Sequence, residues 1–240
     1  MNNYPPQYNA QSYQQAWGGQ SLSAHVSSVM KSVYVKMTLA LVVTAFVSLF
    51  CAGSTSYLRF MISNSWFYWV LAIAEFGIVF GVSAGINKLS SATAALLFYV
   101  FAIINGMLLA PVFLIYTGAS IAKTFFITAG TFGAMSVYGY FTDRDLSRMG
   151  SILFMALIGL IIASIVNIFA ASSTLDWIIS GLGVLIFVGL TAWDTQQIKS
   201  MAQQMPAASA GRLATLGALN LYLDFINLFL YLLRFFGDRD

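Results

Sequence analysis

Residues Leu216–Phe236, LGALNLYLDFINLFLYLLRFF, decide the fold. As a helix this run is long enough to cross the roughly 30 Å of hydrocarbon in a bilayer. It nevertheless carries Asn220, Asp224 and Asn227. Together with Gly217 and Tyr231 these residues recur at steps of three and four. That spacing gathers them on one face of a helix that is otherwise Leu and Phe. A membrane helix with a single polar seam belongs inside a bundle, facing protein or water rather than lipid.

Outward from this run the chain keeps the same character. Hydrophobic residues make up 59% of the 240 and charged residues 8%, against about 45–50% and about 25% in soluble domains. So few charges cannot cover a soluble surface, and the chain reads as an all-α polytopic membrane protein. Seven stretches are long and apolar enough to span: Val33–Gly53, Trp66–Ile86, Ala92–Tyr116, Ser120–Phe141, Ser151–Ala171, Trp177–Ile198 and Leu216–Phe236. Short connections with turn chemistry separate them, such as Thr117-Gly118 and Asp143-Arg144-Asp145. Residues 1–30 are rich in Asn, Gln, Tyr and Ser, and are expected to form a disordered polar cytoplasmic tail ahead of a 31–240 transmembrane domain. With about 30 polar residues before the first apolar run, no signal peptide is expected. Cys51 follows Phe50, where a lipoprotein site needs a small residue.

Lys and Arg set the orientation. Lys31, Lys36, Lys88, Arg144, Arg148, Lys199 and Arg212 fall on the amino-terminal side, and Arg59, Lys123, Arg234 and Arg239 on the other. The bias places the amino terminus in the cytoplasm of a cell inner (plasma) membrane protein. Steps of four at Gly77, Gly81 and Gly85, with Gly130, Gly133, Gly181 and Gly183, are expected to serve helix packing within the bundle.

Three carboxylates stand inside the spans: Glu75, Asp194 and Asp224. Each costs about 2.5–3.5 kcal/mol at a helix centre on insertion scales. If the last span runs from about Ala218 to Phe236, Asp224 lies roughly 9 Å below the cytoplasmic surface and Arg234 reaches the opposite interface. Asp194, about four residues before the end of the sixth span, lies roughly 6 Å deep. The two aspartates therefore share a depth on consecutive antiparallel helices and are expected to touch. Two touching carboxyls in a dry site cannot both ionise cheaply. Holding one proton they clasp the helices; fully deprotonated they repel and admit a cation. Without that role they form an inert polar clasp.

The same strings resemble the Bax inhibitor-1 family, also called the transmembrane Bax inhibitor motif family, particularly its bacterial members. The resemblance rests on LYLDFINLFLYLLRFFG at 221–237 and TAWDTQQIK at 191–199, with FAIINGMLLAPVF at 101–113 and the Gly-rich second span containing Glu75. It covers about residues 25–237. It implies seven helices with the last one central, and a pH-sensitive calcium leak regulated by the pair Asp194 and Asp224. Some bacterial relatives are associated instead with modulating a membrane protease. The resemblance also implies an Arg latch onto the sixth-span aspartate. Here the region reads SAGINKLSS, where only Lys88 can stand in, and Lys lacks the bidentate fork of Arg.

Two functions of different class follow. The first is a cation leak, for Ca²⁺ above all, which needs oxygen ligands. Asp194 and Asp224 would be its sensor, gate and transient metal ligands. Glu75, Asn105, Asn220 and Asn227 would line its pore, and Asn167 would offer a further amide. The second is a non-transporting regulator that binds other membrane proteins, such as a membrane protease. An enzyme is not expected. The GxGD signature of intramembrane aspartyl proteases is absent, the last span has no Lys for a retinal Schiff base, and one Cys with one His cannot build a usual zinc site. No basic stripe suggests nucleic acid, and no cofactor is implied.

Overall fold

The computed structural model describes residues 21–86 and 88–238, and every regular element among them is helical. The helices are α1 (Leu22–Gly53), α2 (Thr55–Ser63), α3 (Ser65–Gly85), α4 (Ser91–Leu109), α5 (Val112–Ile115), α6 (Gly118–Phe141), α7 (Ser147–Ala170), α8 (Ser173–Gln204) and α9 (Ala210–Phe236). Hydroxyl caps start several of them. Ser21, Ser54, Ser90, Thr117 and Ser172 each accept from the backbone N–H three residues on, satisfying one of the donors a helix start leaves open.

Six helical segments among the described residues are long and apolar enough to cross a membrane: Leu22–Gly53, Ser65–Gly85, Ser91–Ile115, Ser147–Ala170, Ser173–Gln204 and Ala207–Phe236. The stretch expected as the fourth span is also helical, as the 24-residue α6. It is less apolar because Lys123 and several Thr, Ser and Gly residues interrupt its hydrophobic run.

The helix ends differ from those expected on apolarity alone. Residues 22–30, expected as part of the polar tail, are the first turns of α1. His25, Val26, Val29 and Met30 are buried there at helical spacing, a stripe too short to stand out among its polar neighbours. The disordered-tail expectation is thus overturned for 22–30, and residues 1–20 lie outside the described residues. The sixth span was expected to end at Ile198, but α8 continues to Gln204. The third was expected to be continuous, but it breaks between α4 and α5 at Pro111, which has no N–H to donate.

Burial ranks the helices. The most apolar window of the α9 segment is 67% buried and that of α7 only 6%. α9 packs against α8, α1, α6, α4 and α3, and α7 packs against α8. The carboxyl-terminal helix is the core. Around it the usual arrangement is inverted: Phe46, Phe50, Phe76, Phe80, Phe126 and Phe169 point outward, as expected where the solvent is lipid.

Close approach between helices depends on glycines other than those singled out from spacing. A Cβ on Gly106 would lie 2.8 Å from the Thr44 carbonyl oxygen, and one on Gly183 2.6 Å from the Tyr231 ring. Gly139 lies against the backbone of Ala192, and Gly150 against the Trp193 indole. By contrast, a Cβ on Gly77, Gly81, Gly130, Gly133 or Gly181 would meet nothing within 4 Å. The expectation that these glycines pack inside the bundle is overturned for all but Gly183 and Gly85, and Gly85 meets only Leu89 in the turn that follows it. Step spacing marks a flat face without saying which neighbour it meets.

Candidate functional site

The seam on α9 faces a cavity of about 740 Å³. Asn220, Asp224, Asn227 and Tyr231 line it from α9, Asp194 from α8, Glu75 from α3 and Asn105 from α4. The seam's remaining member, Gly217, turns instead to Ile198 of α8. Asp194 and Asp224 come close enough for their side chains to interact, as their depths suggested. They are 8% and 4% exposed, so water does little to separate their charges. A hydrogen bond between two carboxyl groups needs a proton on one of them, because an ionised carboxylate only accepts. Asp224 Oδ2 has no protein partner.

The TAWDTQQIK segment anchors its surroundings as well as carrying Asp194. Gln196 Nε2 donates to the Arg144 carbonyl and its Oε1 accepts from the Leu146 N–H, both at 2.8 Å. The α6–α7 connection is thereby tied to α8. Lys199 Nζ donates to the Tyr140 carbonyl at 2.7 Å and sits 4.9 Å from the centre of that ring.

Across the cavity, Asn105 Nδ2 donates to Glu75 Oε1 at 2.8 Å, and its Oδ1 accepts from the Tyr222 hydroxyl at 3.0 Å. Tyr222, fully buried, reaches Thr44 Oγ1 at 2.7 Å, and Thr44 donates to the Ala102 carbonyl at 2.9 Å. A polar chain therefore runs from Glu75 through α4 and α9 to α1. Sequence reasoning found Glu75 and Asn105 but missed Tyr222 and Thr44. The available signal was the hydroxyls of Thr44 and Ser48, four residues apart in an apolar span, where a hydroxyl needs a partner.

The structure does not join Lys88 to the pair. It lies exposed in the turn after α3 and makes no ion pair with Asp194 or Asp224, so the latch expected at Lys88 is not formed. Asn167 also lies elsewhere. It lines a second polar cavity of about 430 Å³ with Ser164, Asp176 and Arg234. The two cavities share Asn227, Leu230 and Tyr231. At the far end of the second, Arg234 Nη1 pairs with Asp176 Oδ1 at 3.1 Å. Spacing alone could not pair these two, since 58 residues separate them.

This is a polytopic helical membrane protein with two buried carboxyls beside a half-open cavity that carboxyl and amide side chains line in part. The family model described as "Inhibitor of apoptosis-promoting Bax1" matches residues 26–240, and the chain belongs to this Bax inhibitor-1 family. It is 48% identical to the inner membrane protein YbhL of Escherichia coli over 219 residues, covering 90% of this chain and 94% of that one. An uncharacterized protein of Borreliella burgdorferi is 45% identical, with 88% and 91% covered. An uncharacterized membrane protein of Streptococcus pyogenes is 37% identical, with 75% and 78% covered.

Proposed function

We propose that this protein is a pH-sensitive leak for calcium, or for cations more broadly, gated by proton sharing between Asp194 and Asp224. The observation that carries the proposal is the meeting of the two aspartates inside the cavity that also holds Glu75, Asn105, Asn220 and Asn227. A hard cation exchanges its water for oxygen ligands, and carboxyl and amide oxygens are what this cavity offers. With one proton between them the aspartates hold α8 against α9. With none, two adjacent negative charges repel and attract a cation, so flux rises as the pair deprotonates.

In this reading the chain spans the membrane seven times. α6 is the seventh span, since its 24 residues cover about 36 Å at 1.5 Å per residue. The amino terminus lies in the cytoplasm, following the Lys and Arg bias. The membrane is the inner membrane, a location supported by the printed name of the E. coli relative.

The test is Ca²⁺ entry into liposomes holding the purified protein and an internal indicator, measured across pH. Wild-type flux is expected to rise with pH, and Asp194→Asn and Asp224→Asn to flatten the profile. Glu75→Gln should lower the rate while keeping the pH response. A wild-type pH profile preserved in both aspartate variants would remove the mechanism.

A further inference from the structure

Away from the polar cavities, α1 and α6 each pack against α8 and α9 but leave a furrow between them. Its two halves, about 620 and 480 Å³, share Leu41, Phe125 and Phe225 and so run into one another. The furrow extends along α1 from Ser27 to Leu49, about 33 Å at helical rise. That is close to the hydrocarbon thickness of a bilayer. Its wall is open, since Phe125, Val137 and Phe141 are exposed at its edge.

The furrow is not uniform along its length. Its far half is lined mostly by Phe, Leu, Ile and Ala side chains, and its two hydroxyls, Thr44 and Ser48, are already bonded to the Ala102 and Gly106 carbonyls. At the end near the α1 amino terminus stand the exposed Lys31 with Tyr34 and Tyr140. No Asp or Glu lines either half. About one helical turn deeper than Tyr140, Ser136 lines the same furrow, 5% exposed, and its Oγ has no protein partner. A positive charge lining the interfacial end at Lys31, with Lys199 held behind the Tyr140 ring, then an unpaired hydroxyl, then an apolar channel is the order of groups that complements a phosphate, a glycerol ester and an acyl chain.

We infer that this furrow is a binding site for one anionic glycerophospholipid, its headgroup at Lys31 and an acyl chain lying between α1 and α6 on Phe225. The inference does not depend on ion flux.

The test uses spin-labelled phosphatidylglycerol and spin-labelled phosphatidylcholine with the full-length protein in phosphatidylcholine vesicles, reading the motionally restricted fraction. Wild type is expected to prefer the anionic lipid about fivefold, the contribution of one lysine at a membrane surface. Lys31→Gln, at an exposed position that leaves the fold intact, should abolish the preference. Gly133 lines the furrow and has open space at its Cβ, so Gly133→Phe should fill the site and reduce restricted lipid of both kinds. Gly130, equally open but off the furrow, supplies the control, and Gly130→Phe should bind as wild type does. The inference falls if wild type shows no anionic preference, if Lys31→Gln retains it, or if Gly133→Phe restricts as much lipid as wild type. It falls equally if Gly133→Cys crosslinks two copies of the chain, which would make the furrow a protein interface.

Discussion

Glu75 and Asn105 face each other across α3 and α4 at 2.8 Å, and the Asn105 amide is spent on both sides, donating to Glu75 and accepting from Tyr222. A helix with only 11% of its apolar window buried is thereby tied to the central one. The contact also orients a cavity-lining carboxyl.

Replacing Asn105 by Leu removes a donor from the half-buried Glu75 carboxyl and an acceptor from the buried Tyr222 hydroxyl. Each abandoned group costs about 1–3 kcal/mol, so Asn105→Leu is expected to lose about 3 kcal/mol in detergent unfolding. Tyr222→Phe should lose about 1 kcal/mol, because Asn105 keeps its bond to Glu75. Equal losses in the two variants would show that Asn105 does not bridge.

Gly139 and Gly130 lie on the same helix and should respond oppositely to alanine. A Cβ on Gly139 would strike the Ala192 backbone, which cannot rotate away. Gly139→Ala is therefore expected to cost about 3 kcal/mol as α6 is pushed from α8. Gly130 has open space, so Gly130→Ala should gain up to about 1 kcal/mol from helix propensity. Thermal unfolding of the two purified variants decides the matter.

Arg234 and Asp176 both line the second cavity, and their side chains are 43% and 38% exposed. Exposed pairs contribute about 0–1 kcal/mol. Asp176→Asn should leave stability within about 1 kcal/mol of wild type, and any larger effect should be seen in flux. A large fall in melting temperature would assign the pair a structural role.

Ala171 ends α7 with φ at 46°, the positive-φ non-glycine residue among those described. The left-handed conformation costs an alanine about 1–2 kcal/mol that glycine escapes. Ala171→Gly is expected to raise stability by about 1 kcal/mol, read as a higher unfolding midpoint. No gain would mean that the turn relaxes without strain.

Much of the site is legible in the sequence, because each of its charged members stands out against an apolar run. Asp194 and Asp224 could be matched by depth, since helical rise converts sequence position into distance along the membrane normal. Glu75, Asn105, Asn220 and Asn227 could be singled out for the same reason. The Lys88 latch could not be judged, because whether a side chain in a turn reaches a distant helix depends on how that turn is placed. Helix ends were also misjudged. Residues 22–30 are too mixed to read as a span and 199–204 are polar, yet both are helical, since a helix continues past the hydrocarbon wherever a neighbour covers one face.

Composition and spacing by themselves determined that the chain is helical, lives in a membrane and carries a polar seam on its last long helix. Those features follow from the cost of burying backbone and charge, which is counted locally along the chain. Tertiary structure alone decided which helix neighbours the seam. It brought Tyr222 to Asn105 and Arg234 to Asp176, emptied the Gly77 and Gly81 face of contacts, and opened the furrow between α1 and α6. Those outcomes depend on the rotation of each helix about its axis, which is set by the packing of all its neighbours at once.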